Sequence, residues 1–174
     1  MRGSSWQDDP RCPGWDELAY VEVDHRTFDG GTARGELVVA RGLAADAIAL
    51  FRRLFTIGFP VRQMRLVDAF GASDDVSMEA DNSSAFNFRC VAGTDILSQH
   101  AFGLAIDVNP VENPMMTADW HVPPSAAPYR DRTTLRPGMI VRPGPVTAIF
   151  DELGWEWGGD WVHVADLHHI VRRR

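Results

Sequence analysis

The sequence predicts an α+β fold in a single domain, with a mainly antiparallel sheet and helices packed on one side of it. Three observations carry that prediction. Two runs rich in apolar and β-branched residues, 18–24 and 36–40, bracket the turn signal Phe28-Asp29-Gly30-Gly31 and read as a hairpin. One stretch, 44–57, places its apolar residues at helical spacing. Shorter strand-like and helix-like runs close the chain, with no internal repeat or low-complexity tract. A length of 174 residues, 45% of them hydrophobic, suffices for one domain with its own core.

Residues 1–14 are polar, carry Pro10, Pro13 and Gly14, and read as an N-terminal arm; the domain proper is 15–174. Leu18, Tyr20, Val21 and Val23 make the first strand. His25, near the turn, reads as a surface residue. In the long helix Ala47, Ile48, Phe51, Leu54 and Phe55 share a face, Arg52 and Arg53 fall opposite, Gly58 stops it and Pro60 follows. Residues 64–70 read as a strand. Residues 71–84, with Asp74, Asp75, Glu79 and Asp81, read as a solvated loop. Residues 103–108 read as a strand. The connection 109–143 then carries seven prolines. A connection so long inside one domain is usually functional or disordered, and this one leaves the strand directly after Asp107, where it would wall a groove. His121 within it reads as a surface residue. Val146, Ile149, Phe150 and Leu153 mark a short helix at 145–153 with Gly154 as its stop. Residues 161–165 and 169–171 read as the closing strands, and Arg172-Arg173-Arg174 as a solvated tail.

Composition narrows the function. The chain has 17 basic and 24 acidic residues, a net charge of −7, which argues against nucleic acid as a partner. Every basic residue is Arg, an imprint of codon composition and not a binding signature. No apolar run reaches the roughly 18 residues that span a bilayer, and no signal-peptide pattern precedes Trp6. Cys12 and Cys90 are the two cysteines. They read either as small buried side chains or, in an exported protein, as a disulfide tying the arm beside the site.

Two constellations carry chemistry. The first is Ser98-Gln99-His100-Ala101-Phe102-Gly103-Leu104-Ala105-Ile106-Asp107, which reads S-x-H-x-x-G-x-A-x-D. On a strand Gly103, Ala105 and Asp107 share one face; the first two are small and leave room above the backbone. A buried Asp needs a charge partner, and a divalent ion shared with His100 would supply one. The second is Gly154-Trp155-Glu156-Trp157-Gly158-Gly159-Asp160-Trp161, followed by Asp166-Leu167-His168-His169. Clustered Trp is usually core, and Trp157 is placed both to pack behind a site and to line it. Together the two segments suggest three metal ligands and a carboxylate base. Strand periodicity puts His168, not His169, on the face of Asp166.

These motifs resemble the VanY-like family of zinc peptidases, the D-alanyl-D-alanine carboxypeptidases and L-alanyl-D-glutamate endopeptidases that cut peptidoglycan stem peptides. The resemblance spans roughly residues 80–170. It includes Asn82-Ser83-Ser84-Ala85-Phe86-Asn87-Phe88-Arg89, similar to a family segment N-x-S/T-A-F-N-x-R that supplies an active-site Arg. It implies one Zn²⁺ per chain held by His100, Asp107 and His169, because the family spaces its acid and its final His by three; His168 stands as the substitute. The family often has Pro before that His and an aromatic after it, where this chain has His168 and Ile170. The resemblance also implies Asp166 as general acid–base and Arg89 as the group meeting the tetrahedral intermediate or a substrate carboxylate. Ser98 and Trp157 would position ligand or substrate. Two His and one Asp with an open position suit catalytic zinc, which activates water and polarises a carbonyl. Asp at the base position tilts the expectation toward an endopeptidase. The implied partner is a peptidoglycan stem peptide, the implied state a monomer, and the implied setting extracytoplasmic, or release at lysis for a phage-derived protein. The competing class is a wall-binding module that keeps the fold without catalysis.

Overall fold

The structure, a computed structural model, describes residues 1–172. Strands β1 (Leu18–Arg26) and β2 (Thr32–Ala40) form the hairpin in antiparallel register from Leu18↔Ala40 to Arg26↔Thr32. Their inward residues Val21, Val23, Leu37 and Val39 are buried. Helix α1 (Ala44–Thr56) lies against this hairpin. Its buried face is Ala47, Leu50, Phe51 and Leu54, the i, i+3, i+4, i+7 stripe. That face is rotated from the one read in the sequence: Ile48 stands exposed and Leu50 takes its place in the core. Leu50, Phe51 and Leu54 each contribute on the order of 2 kcal/mol by leaving water, and Ala47 less.

Between residues 60 and 90 the sequence reading needs correction. The strand expected at 64–70 is two short pieces: β3 (Gln63–Met64) and a 3₁₀ turn, Val67–Phe70. The loop expected at 71–84 holds helix α2 (Asp74–Glu79), whose N-cap Ser73 accepts a hydrogen bond from the Val76 amide, and β4 (Asn82–Ser83), parallel to β3. Strand β5 is Ala105–Asp107. The Pro-rich connection is ordered by β6 (Met115–Met116), β7 (His121–Val122) and a 3₁₀ turn at Pro124–Tyr129. Helix α3 (Pro145–Leu153) stops at Gly154 as expected and packs on α1. Then come β8 (Glu156–Trp157), β9 (Ala165–Asp166) and β10 (His169–Val171); the strand read at 161–165 is only its last residue. The order β5-β10-β8 makes one antiparallel sheet and β7-β6-β9 another. The α+β class with antiparallel sheets therefore holds, with the pairing divided among several small sheets.

Other expectations change on burial. The arm 1–14 is docked: Ser5 is fully buried, its Oγ donates to Asp68 at 2.6 Å, and its carbonyl accepts from the Phe88 amide at 2.9 Å. His25 is buried, its ring Nδ1 beside the Arg26 carbonyl, and takes no part in the site. Cys12 and Cys90 are free, half-buried thiols, so of the two readings the disulfide is not the one formed; Cys12 packs as a small apolar group against the cluster of Leu18, Phe86 and Phe88. Arg172 is held by the Leu153 carbonyl and by Asp46, and is not a solvated tail; Arg173 and Arg174 lie outside the described residues.

Candidate metal centre and active site

The first motif is locked in place from both ends. Ser98 caps the 3₁₀ turn Gln99–Phe102, its Oγ accepting from the His100 amide at 3.3 Å. Gly103 ends that turn in the left-handed region, φ +66°. A Cβ there would stand 2.4 Å from the Ala40 nitrogen, and the Ala40 amide donates to the Gly103 carbonyl at 2.9 Å. Gly103 is thus not on the strand with Ala105 and Asp107. Its missing side chain lets the motif lie on β2 and does not make room for an ion.

The segment 84–89 runs alongside. Ser84 and Asp107 exchange both backbone hydrogen bonds, and the Asn87 amide donates to the His100 carbonyl. From the other side β10 pairs with β5 in the register His169↔Asp107. These two pairings bring His100, Asp107 and His169 together, all buried. His100 Nε2 is 3.1 Å from Asp107 Oδ2, His169 Nδ1 is 3.1 Å from Asp107 Oδ1, and the two ring nitrogens are 3.2 Å apart. A tetrahedral ion with bonds of ~2.0–2.1 Å has ligand–ligand edges of about 3.3 Å, so the three groups stand near the separations one zinc-sized ion requires. His100 Nδ1 donates to the Ala85 carbonyl at 2.6 Å, which leaves Nε2 as the lone-pair nitrogen facing the cluster. The donor set fits a divalent cation. Burial disfavours the Asp107 charge, but the His100, His168 and His169 imidazoles around it prevail and hold its carboxyl well below the usual range.

His168 has a different partner. Its Nδ1 donates to the Asn113 carbonyl at 2.8 Å and its Nε2 lies 3.0 Å from Asp166 Oδ1, against 3.9 Å from Asp107. Burial works against its charge, but the Asp166 and Asp107 carboxylates prevail and push the imidazole up to about 10. Asp166 Oδ1 is buried and has the His168 imidazole as its ionic neighbour, with no other hydrogen-bond partner. Ile170, where the resembling family has an aromatic, is fully buried and turned to the core between Ile106 and Trp157.

Arg89 is half-buried. Its Nη2 pairs with Asp74 at 2.7 Å, its Nη1 reaches the Cys90 carbonyl, and its Nε is buried with no hydrogen-bond partner. At His100 the Arg89 charge lowers the pKa and the Asp74 charge raises it, so the two oppose each other there. Asp74, the partner of Arg89, was left in a solvated loop by the sequence reading; an acid in the first turn after a Ser cap was the available signal. Trp157 is buried and donates its indole N–H to the Leu167 carbonyl at 2.8 Å, bracing the Asp166–His169 segment from behind. Gly158 permits this closeness, since a Cβ there would meet the Asp166 carbonyl oxygen at 2.5 Å. The aromatic on the open side is Trp161, 43% exposed, its ring 5.4 Å from that of His169. Ser98 is buried, and its hydroxyl serves the His100 amide. Asn113 was not foreseen; its side chain bridges the Val108, Asn109 and Gly138 carbonyls to the Ile140 amide and so holds the connection against β5.

The fold and this site define a class: an α+β domain with a buried His–Asp–His cluster of the metal-ligating type and a second buried carboxylate, Asp166, on the adjoining segment. Residues 92–171 match the family model described as D-alanyl-D-alanine carboxypeptidase, which bears out the resemblance read from the motifs. The matched stretch contains His100, Asp107, Asp166 and His169; Arg89 lies just before it. No curated protein matches the chain, and neither does any solved structure.

Proposed function

We propose that the protein is a zinc metallopeptidase that hydrolyses an amide bond of peptidoglycan stem peptides. The observation that carries this is the convergence of His100, Asp107 and His169 at mutual separations of 3.1–3.2 Å, with the buried Asp166 carboxylate on the adjoining segment. His100, Asp107 and His169 would hold one Zn²⁺, which supplies Lewis acidity toward the scissile carbonyl and its attacking water. Asp166 takes the proton from the attacking water and delivers it to the leaving amine. Its burial and the neighbouring His168 keep the carboxylate aimed from a short rigid segment. Arg89, with its unpartnered Nε, stabilises the oxyanion or holds a substrate carboxylate. Ser98 and Trp157 contribute by fixing His100 and the Asp166–His169 segment. The Asp at position 166 favours an L-alanyl-D-glutamate endopeptidase over a carboxypeptidase within this reading, acting as a monomer outside the cytoplasm or on release at lysis. No helix of the described residues is long and apolar enough to cross a membrane.

Digestion of purified peptidoglycan, followed by mass analysis of the soluble fragments, tests the reading. New amine and carboxyl ends within the stem peptide are expected, and their position fixes the bond. Tight binding to the wall with no new ends would establish the non-catalytic module instead.

A further inference from the structure

Beside the cluster lies an open groove of roughly 470 Å³ that none of the assigned roles uses. Its walls include Met116, Thr117, Arg130, Trp161, His163 and Ala165. The size suits a few residues of peptide. Its position is set by the β6–β9 pairing: Met116 faces Ala165, and the next pair is Met115 with Asp166. The groove floor is therefore one residue from Asp166, and Trp161 links its wall to His169. Arg130 follows the 3₁₀ turn Pro124–Tyr129 and is tethered by Nη2 to the Ala118 carbonyl. Among the described residues no carboxylate pairs with Arg130, although most of the chain's charges are acidic. Arg130, itself half-buried, is the one arginine on walls that hold no carboxylate, the other named side chains being Met116, Thr117, Trp161, His163 and Ala165.

We propose that this groove is the subsite for the substrate residue that carries a free carboxylate next to the cut bond, with Arg130 as its anchor. The assignment rests on the stem-peptide reading above and adds a specificity residue to it. The free donors of Arg130 match a carboxylate through charge-assisted hydrogen bonds, and Trp161 and Met116 cover the adjoining aliphatic chain. A substrate amidated at that position would leave the guanidinium without its partner.

The test uses zinc-loaded protein and synthetic stem peptides, one with every carboxylate free and others with one carboxylate amidated at a time. Wild type is expected to lose about tenfold or more in kcat/KM on one of these amidations, mainly through KM. Arg130→Ala should show that same loss on the free peptide, be indifferent to that amidation, and keep its zinc; Arg130→Lys should recover part of the preference. If Arg130→Ala behaves as wild type, or if its loss and the loss on amidation simply multiply, the subsite is overturned while the peptidase reading stands. If wild-type protein cleaves none of the peptides and no peptidoglycan, the peptidase reading fails and the subsite with it.

Discussion

His168 and His169 are chemically identical neighbours that the fold sends to different partners. Strand periodicity groups His168 with Asp166, and the two do lie 3.0 Å apart. The resemblance chose His169 as the ligand, and the ladder puts it opposite Asp107. The two readings conflicted only because a single strand was assumed from 166 to 169; β9 ends at Asp166 and β10 begins at His169, so alternation does not run through. His169→Ala should therefore lose bound zinc, while His168→Ala should retain it with altered activity; elemental analysis of the purified variants separates them. Arg89 depends in the same way on a residue far along the chain. Arg89→Ala should keep zinc and lower kcat/KM by roughly 10²-fold, the order of one oxyanion donor. Asp74→Ala, which only releases a half-exposed partner, should lose about fivefold or less. Steady-state kinetics on the two variants would show whether that ranking holds. Asp74 escaped the sequence reading because an acid-rich polar stretch looks alike as loop and as short capped helix.

At the scale of elements, long periodic segments were legible and short ones were not. The hairpin and α1 declare themselves because each repeats its pattern over nine or more residues. Strands of two or three residues, as at β3, β4 and β6 to β9, carry no period to detect, and their pairing is decided by distant partners. Gly103 shows what this costs the interpretation: spacing alone assigned it to a strand face, while its real task is contact with β2. Gly103→Ala combines a left-handed backbone with a backbone clash, and should destabilise by about 1–3 kcal/mol or more in chemical denaturation. The Pro-rich connection, too, is held by a network the sequence did not reveal. Glu112 is fully buried, with Oε1 3.2 Å from Arg62 and 3.4 Å from the Tyr129 hydroxyl, while Arg62 also reaches Asp81. Burial and the Asp81 carboxylate push Glu112 up to about 8 against the pull of Arg62. Unfolded, this carboxyl loses its proton near ~4.3. Between those values the folded protein binds the extra proton, so this group's contribution makes stability fall as pH rises through the window. Glu112→Gln should flatten that part of the thermal-stability profile between pH 5 and 9; an unchanged slope would show that the network does not set it.

For the whole molecule, the site exists only where three separated segments meet. Residues 84–89, 98–107 and 166–169 come together because β5 is paired on both sides, by Ser84 and by β10. The hairpin supports the assembly through Gly103, and Trp157 supports it from behind. The convergence of His100, Asp107 and His169 was legible because those residue types and spacings are distinctive. The groove beside it was not, since its walls are short segments whose adjacency follows from β6 pairing with β9. The central claim is that the cluster holds a catalytic metal and Asp166 moves the proton without being a ligand. Metal content and turnover measured on the same preparations of wild type and Asp166→Asn test this most directly. One zinc per chain in both proteins, with turnover of stem peptide lower by roughly 10²–10⁴-fold in the variant, is the result expected. Loss of zinc from the variant, or cleavage at the wild-type rate, would contradict it.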